Sequence, residues 1–213
     1  MDRTARLPEE RTRGARARLS AAAIAAAAVG LVAVAARPPA GAAPSGEPAP
    51  LAEMAERCLT DNPYFVAPVY PIGDRRSEPA LVAFRDTFRN AEEHVLARFG
   101  EIGVTFGLAV DQEANRVYAA AYHKRGAPFG PGGPGMIYRI DLATGAVEEW
   151  LDVPDAAPPG VTLHDPAGNY MPDRIAREWP GKVSLGDIDL TPDGAELFVV
   201  NLYTRRILRY RTA

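Results

Sequence analysis

Short, turn-bounded segments with a two-residue apolar alternation place this chain in the all-β class. Three observations carry that reading. From residue 100 onward the apolar spacing is extended rather than helical, the segments are rich in β-branched and aromatic residues, and the whole pattern is repeated once before the chain ends.

Residues 1–36 stand apart from the rest. Six arginines (Arg3, Arg6, Arg11, Arg13, Arg16, Arg18) against Asp2, Glu9 and Glu10 give residues 1–18 a net charge of +3, and Leu19–Ala36 carries no charge at all. A basic head followed by an uncharged, alanine-rich run is the order of a secretory signal or membrane anchor helix, with small-x-small cleavage candidates at Ala33–Ala35 and Ala40–Ala42. The whole-chain charge of −3 then leaves −6 for residues 37–213, which lack the basic stripe that nucleic acid requires. The expected location is extracytoplasmic: secreted, periplasmic or anchored at the cell surface, with the N-terminal segment engaging the membrane or the secretion machinery.

Residues 37–80 form a linker and an irregular segment. The stretch 37–50 is rich in proline, alanine and glycine and buries too little apolar surface to order itself, and residues 51–80 are interrupted by Pro63, Pro68, Pro71 and Pro79. Cys58 is the single cysteine, so no internal disulfide holds the domain, and it reads as a small buried hydrophobe. Residues 81–84 fit a strand. Ala91, Val95 and Leu96, with Glu92 and Glu93 early in the segment, suit a short helix over 90–98 capped by Asn90.

Strands are predicted at about 104–110, 116–122, 136–142 and 147–151, connected by the turn 111–115, a glycine-proline loop and the turn 143–146. This pattern recurs. Gly107–Asp111 followed by Arg116–Tyr122 is echoed by Gly186–Leu190, the turn 191–194 and Glu196–Leu202; Ile137–Asp141 is echoed by Ile207–Arg211. Arg139 and Arg209 share one strand face, with Tyr138, Ile140, Leu208 and Tyr210 on the other. Repeated four-stranded units with a buried second and an exposed third strand match the blades of a β-propeller.

The first strands are offset by about 79 residues, against roughly 40–50 for an ordinary blade. The excess lies in residues 152–184, expected to run over one face of the disc. The organisation is then a signal or anchor at 1–36, a linker and irregular segment at 37–80, and a partial propeller over 81–213. Blade one spans about 104–151, the long connection 152–184, and a partial blade two 185–213. A propeller closes with roughly four to eight blades, so the chain is expected to be a piece of a longer propeller protein. The alternative is a free-standing β-sandwich of seven strands.

The stretches 105–111, 117–125, 130–141 and 183–194 resemble the first blades of large exported bacterial propeller proteins with adhesin-like or immunoglobulin-like repeats further along. The resemblance covers residues 100–213. It implies a seven-bladed or similar disc outside the membrane, and no catalytic residues.

Several constellations invite chemistry. Lys124 and Arg125 precede a loop with Gly126, Gly130, Gly132, Gly133 and Gly135, but Pro128, Pro131 and Pro134 remove backbone donors and a strand follows. That argues against a phosphate cradle and for a long loop able to contact an anionic partner. Asp187 and Asp189 flank Ile188 on one strand face, and with Asn201 they are candidates for lining a channel and holding Ca²⁺; Asp173 carries the same ambiguity. The competing account is turn and capping chemistry along a solvated wall. His94, His123 and His164 share no metal-ligand spacing and read as structural or solvated. Ser45 and Ser184 lack a nucleophile elbow, and Trp150 and Trp179 read as core or edge-covering aromatics.

The expected function is that of a non-enzymatic exported propeller fragment, a surface interaction or scaffold module meeting a protein or glycan. The alternative is a metal-dependent propeller hydrolase of the lactonase or strictosidine-synthase-like class using channel carboxylates.

Overall fold

In a computed structural model, which describes residues 64–85 and 93–213, the chain is all-β and consists of three antiparallel sheets. The signal or anchor segment, the tether, Cys58 and Asn90 lie outside the described residues. Sheet 1 has the order β1-β2-β3, with β1 Tyr64–Pro68, β2 Pro79–Arg85 and β3 His94–Arg98. Sheet 2 is a meander of β4 Thr105–Asp111, β5 Arg116–Ala121, β6 Met136–Asp141 and β7 Val147–Asp152. Sheet 3 has β8 Leu185–Leu190, β9 Glu196–Asn201 and β10 Arg206–Arg211.

The strands of sheets 2 and 3 lie where the sequence places them, whereas sheet 1 corrects two expectations. Residues 64–68 are a strand rather than irregular chain, because Tyr64 and Val66 alternate into a core that β2 completes along the register Tyr64↔Arg85 to Pro68↔Leu81. Residues 94–98 form a strand rather than the end of a helix. Leu96 and Ala97 are buried, and β2 offers a ladder across Val82↔Val95 and Leu81↔Ala97, so tertiary pairing overrides a short helical pattern. Only the next four residues turn helical, as α1 Phe99–Ile102, where the Glu101 carboxylate accepts from the Arg98 N–H at 2.7 Å.

The internal repeat is present in the ladders themselves. Thr105↔Ala121, Leu108↔Ala119, Ala109↔Tyr118 and Val110↔Val117 in sheet 2 correspond to Leu185↔Asn201, Ile188↔Val199, Asp189↔Phe198 and Leu190↔Leu197 in sheet 3, an offset of 80 residues. Both first strands carry a bulge at the same place, between Thr105 and Leu108 and between Leu185 and Ile188. The match of Gly107 with Gly186 in the sequence is therefore one residue out of step, because shared glycines outweigh pleat parity over so short a segment. The third strands correspond as expected, with Arg116↔Asp141 matching Glu196↔Arg211.

Sheet 2 is buried on both faces. Val117, Ala119 and Ala121 of β5, with Tyr138 and Ile140 of β6, pack against Tyr64, Val66, Leu81 and Leu96 of sheet 1. The intervening Tyr118, Ala120 and Ile137 pack against Leu185, Ile188, Leu197 and Val199 of sheet 3. Strand β6 is therefore largely buried rather than exposed, since sheets lie on both its faces and β7 covers its edge; the exposed third strand is a property of β10 alone. Each fully buried large aliphatic here contributes roughly 1.5–3 kcal/mol. Sheets 2 and 3 approach most closely at their first strands. A Cβ at Gly107 would lie 2.5 Å from the Gly186 carbonyl oxygen, and Tyr122 and Ser184 form an isolated bridge between them.

Candidate functional site

The connections β1–β2, β5–β6 and β7–β8 leave their strands at the same end of the molecule and are tied together there. The Gly73 N–H donates to the Gly126 carbonyl at 2.7 Å, Val153 N–H to Gly135 at 2.8 Å, and Ser184 N–H to Ala156 at 2.6 Å. The Ser184 hydroxyl, fully buried, sits 2.8 Å from the Ala121 carbonyl and 2.7 Å from that of Pro134, so one side chain pins β5, the glycine-proline loop and the start of β8. Its φ of +70° is a strained conformation for serine, held by these bonds.

Residues 153–184 fold back onto this end through an imidazole cluster. His123 is fully buried and its Nε2 lies 3.1 Å from the Leu163 carbonyl, where it donates. The His164 ring stacks on it, with centroids 4.6 Å apart and planes at 16°. His164 Nδ1 lies 2.9 Å from the carboxylate of Asp173, whose side chain is inaccessible to solvent. Phe129 and Tyr170 enclose the pair edge-on, with Phe129 5.5 Å from His123 and Tyr170 5.7 Å from His164. Burial pushes the His123 imidazole below its ordinary value, against the opposing effect of the Leu163 bond. Burial would raise the Asp173 carboxyl, but the Ala176 N–H and His164 outweigh it and hold the group below the usual carboxylate range. These three residues stand 41 and 9 positions apart in the chain, so no local spacing in the sequence announces them.

Beside this cluster lies a half-exposed aromatic shelf. Lys124 Nζ sits 3.8 Å from the centroid of the Tyr70 ring, and desolvation lowers its pKa. Phe106, at the β4 bulge, is 50% exposed and lies 5.3 Å from the Tyr122 ring. Arg125 is exposed next to Lys124, as expected at the base of a loop.

The acidic candidates lie elsewhere. Asp187 and Asp189 share the face of sheet 3 turned away from sheet 2, and each accepts from the N–H of its successor, at 3.0 Å from Ile188 and 2.9 Å from Leu190. Asn201 is not with them. It is buried toward sheet 2, where its amide donates to the Pro154 and Asp155 carbonyls at 3.1 Å and accepts from the N–H groups of Tyr203 and Thr204. With both halves of that amide occupied, Asn201 ties the long connection to the β9–β10 turn. Among the described residues, no group of three or more histidine, cysteine, aspartate or glutamate side chains is placed to hold a metal ion.

No family model matches the chain. It is similar to two proteins of Dictyostelium discoideum: Colossin-A, 33% identical over 112 residues, and Colossin-D, 28% identical over 149 residues. These matches take in 46% and 62% of this chain, which spans about 1% of the length of Colossin-A and 15% of Colossin-D. They correct the resemblance drawn from the sequence: the relatives are eukaryotic and do not fit a group of bacterial exported propeller proteins.

Proposed function

We propose that the chain is part of a propeller-type array of sheets and works as a non-enzymatic interaction or scaffold module outside the cytoplasm, binding through its loop-bearing end. The propeller reading is supported by the way sheets 2 and 3 meet, closely at the first strands β4 and β8, with both faces of β5 covered and the same bulge in each first strand. An extracytoplasmic location rests on the charge and apolar order of residues 1–36.

The observation that carries the binding reading is the shelf of Phe106, Tyr122, Tyr70 and Lys124. Exposed aromatic faces stack on the apolar faces of sugar rings, and an ammonium beside them favours an acidic group, so an acidic glycan is the ligand class that fits. An array of neutral and acidic glycans probed with the full chain tests this. Retention of acidic glycans, lost in Phe106→Ser and reduced in Lys124→Ala, is the expected result; no acidic glycan retained by the intact, folded chain would overturn the ligand class.

A further inference from the structure

Residues 157–182, the middle of the long connection, are held to the sheets far more lightly than the two ends of that connection. At one end the Val153 N–H donates to Gly135, and the Asn201 amide holds the Pro154 and Asp155 carbonyls. At the other, Val183 is buried and the Ser184 N–H donates to Ala156. Between these anchors the backbone bonds stay within the segment, as from Gly168 to Asp165, Tyr170 to Gly168, Arg177 to Arg174 and Lys182 to Trp179. Among the described residues, one hydrogen bond crosses from the segment to the sheets, that of His123 Nε2 with the Leu163 carbonyl. Leu163 and Ala176 are its buried apolar side chains. Just inside the anchors, Gly160 and Gly181 sit at φ +72° and +73° with open space around them, which leaves room to pivot. So few crossing bonds and so little buried apolar surface mark a segment that opens without the sheets.

The bond that closes it belongs to a titratable ring set up for its neutral form. His123 spends its one N–H on Leu163, and its Nδ1 is buried with no hydrogen-bond partner. His164 repeats the arrangement, with Nδ1 on Asp173 and a buried, partnerless Nε2. The two rings lie in nearly parallel planes, so their bare lone pairs do not converge on a shared ion. A proton on His123 Nδ1 would create a sealed N–H with no acceptor, which burial penalises. Asp173 favours that proton, whereas a charged His164 opposes it. Asp74, Arg76 and Asp165 act on Tyr170 at the edge of the cluster. Lys124 lies over the Tyr70 ring, Arg125 is exposed, and Phe129 brings no charge from the glycine-proline loop. We propose that residues 157–182 are an acid-released flap: neutral His123 holds it over the end of sheet 2, and protonation of that ring frees it, uncovering Phe129 and the imidazole pair while the three sheets stay folded.

Burial outweighs Asp173 and lowers the His123 value in the closed form, so closure is favoured at neutral pH and weakens as pH falls below about 6.5. A ring that titrates at about 6.5 when open and stays neutral when closed shifts the balance toward open by at most about 30-fold between pH 7.5 and 5. Hydrogen exchange of the full chain, followed by mass spectrometry and corrected for the intrinsic pH dependence of exchange, compares residues 161–177 with β5, β6 and β9. Protection of the segment should fall by about 10–30-fold from pH 7.5 to 5 and recover on return, with the strands unchanged. His123→Gln, neutral throughout and still able to donate to Leu163, should keep the segment protected at pH 5. Should it fail to fold, His123→Phe takes its place and should show a flat profile at lower protection. Equal protection of the parent segment at both pH values overturns the proposal, as does a loss shared by the strands. So does a non-titrating variant that loses protection as steeply as the parent. The flap does not depend on the glycan reading and would survive its failure.

Discussion

Replacing Gly107 by alanine tests the stacking of sheets 2 and 3 through the sign of the effect. Gly107 is not among the positive-φ glycines, so its backbone is one that alanine adopts freely. On backbone entropy alone, the exchange would stabilise the fold by about 0.4–1 kcal/mol. The structure predicts the opposite. The new methyl would lie 2.5 Å from the Gly186 oxygen, 2.8 Å from Ile188 N and 2.9 Å from Asp187 Cα, all backbone atoms that cannot swing aside as a side chain would. Normal contact requires about 3.5 Å or more, so β4 and β8 must separate by nearly an ångström, and the tightly packed residues behind them must follow. Overpacking of this kind costs about 1–3 kcal/mol. At roughly 2–4 °C per kcal/mol for a domain of this size, melting should fall by about 2–12 °C. Thermal denaturation followed by circular dichroism and tryptophan fluorescence measures it, and Gly160→Ala is the control, a glycine at φ +72° with nothing within 4 Å of its would-be Cβ. Any strain at Gly160 is local, so that variant should leave the association of the sheets unchanged. A Gly107→Ala protein as stable as the parent, or more stable, would refute the close approach of β4 and β8.

Acid should loosen the loop-bearing end in two steps. His123 has a depressed folded value, so the unfolded chain takes up the proton first and stability falls as pH drops below about 6.5; Asp173 is also depressed, so the stability it gives above about 3.9 is lost as pH falls through its lower folded value. Urea midpoints between pH 7.5 and 5 should decline in the parent and flatten in His123→Gln. Asn201→Ala should cost about 2–4 kcal/mol, because it leaves the buried Pro154 and Asp155 carbonyls and two turn N–H groups without the amide they now share; a change in urea midpoint equivalent to less than about 1 kcal/mol would show that water replaces it. Arg205, at φ +57° in the β9–β10 turn, should gain about 1 kcal/mol on replacement by glycine, read as a rise in melting temperature.

The elements of sheets 2 and 3 were legible because their information is local. Each strand alternates, each turn carries its glycine, asparagine or aspartate, and two copies of one pattern corroborate each other. Sheet 1 was not legible in the same way. Tyr64 and Val66 sit between prolines, and Val95 and Leu96 satisfy a helical spacing as well as an extended one; only the ladder offered by β2 decides between them. The site followed the same division. Lys124 and Arg125 could be picked out beside a glycine-rich loop, and the common face of Asp187 and Asp189 follows from the two-residue period of a strand.

What the sequence by itself determined is therefore the strands of sheets 2 and 3, the repeat and the charge pattern, all of which are properties of neighbouring residues. What the tertiary structure decided is which distant groups meet. His123, His164 and Asp173 form one cluster only because the 153–184 connection folds back over the end of sheet 2, and Asn201 serves that same connection rather than the carboxylates of β8. The correspondence of Gly107 with Asp187 rather than Gly186 was likewise set by the ladder, since a register is fixed by which face a neighbouring sheet buries, and that neighbour lies 80 residues away.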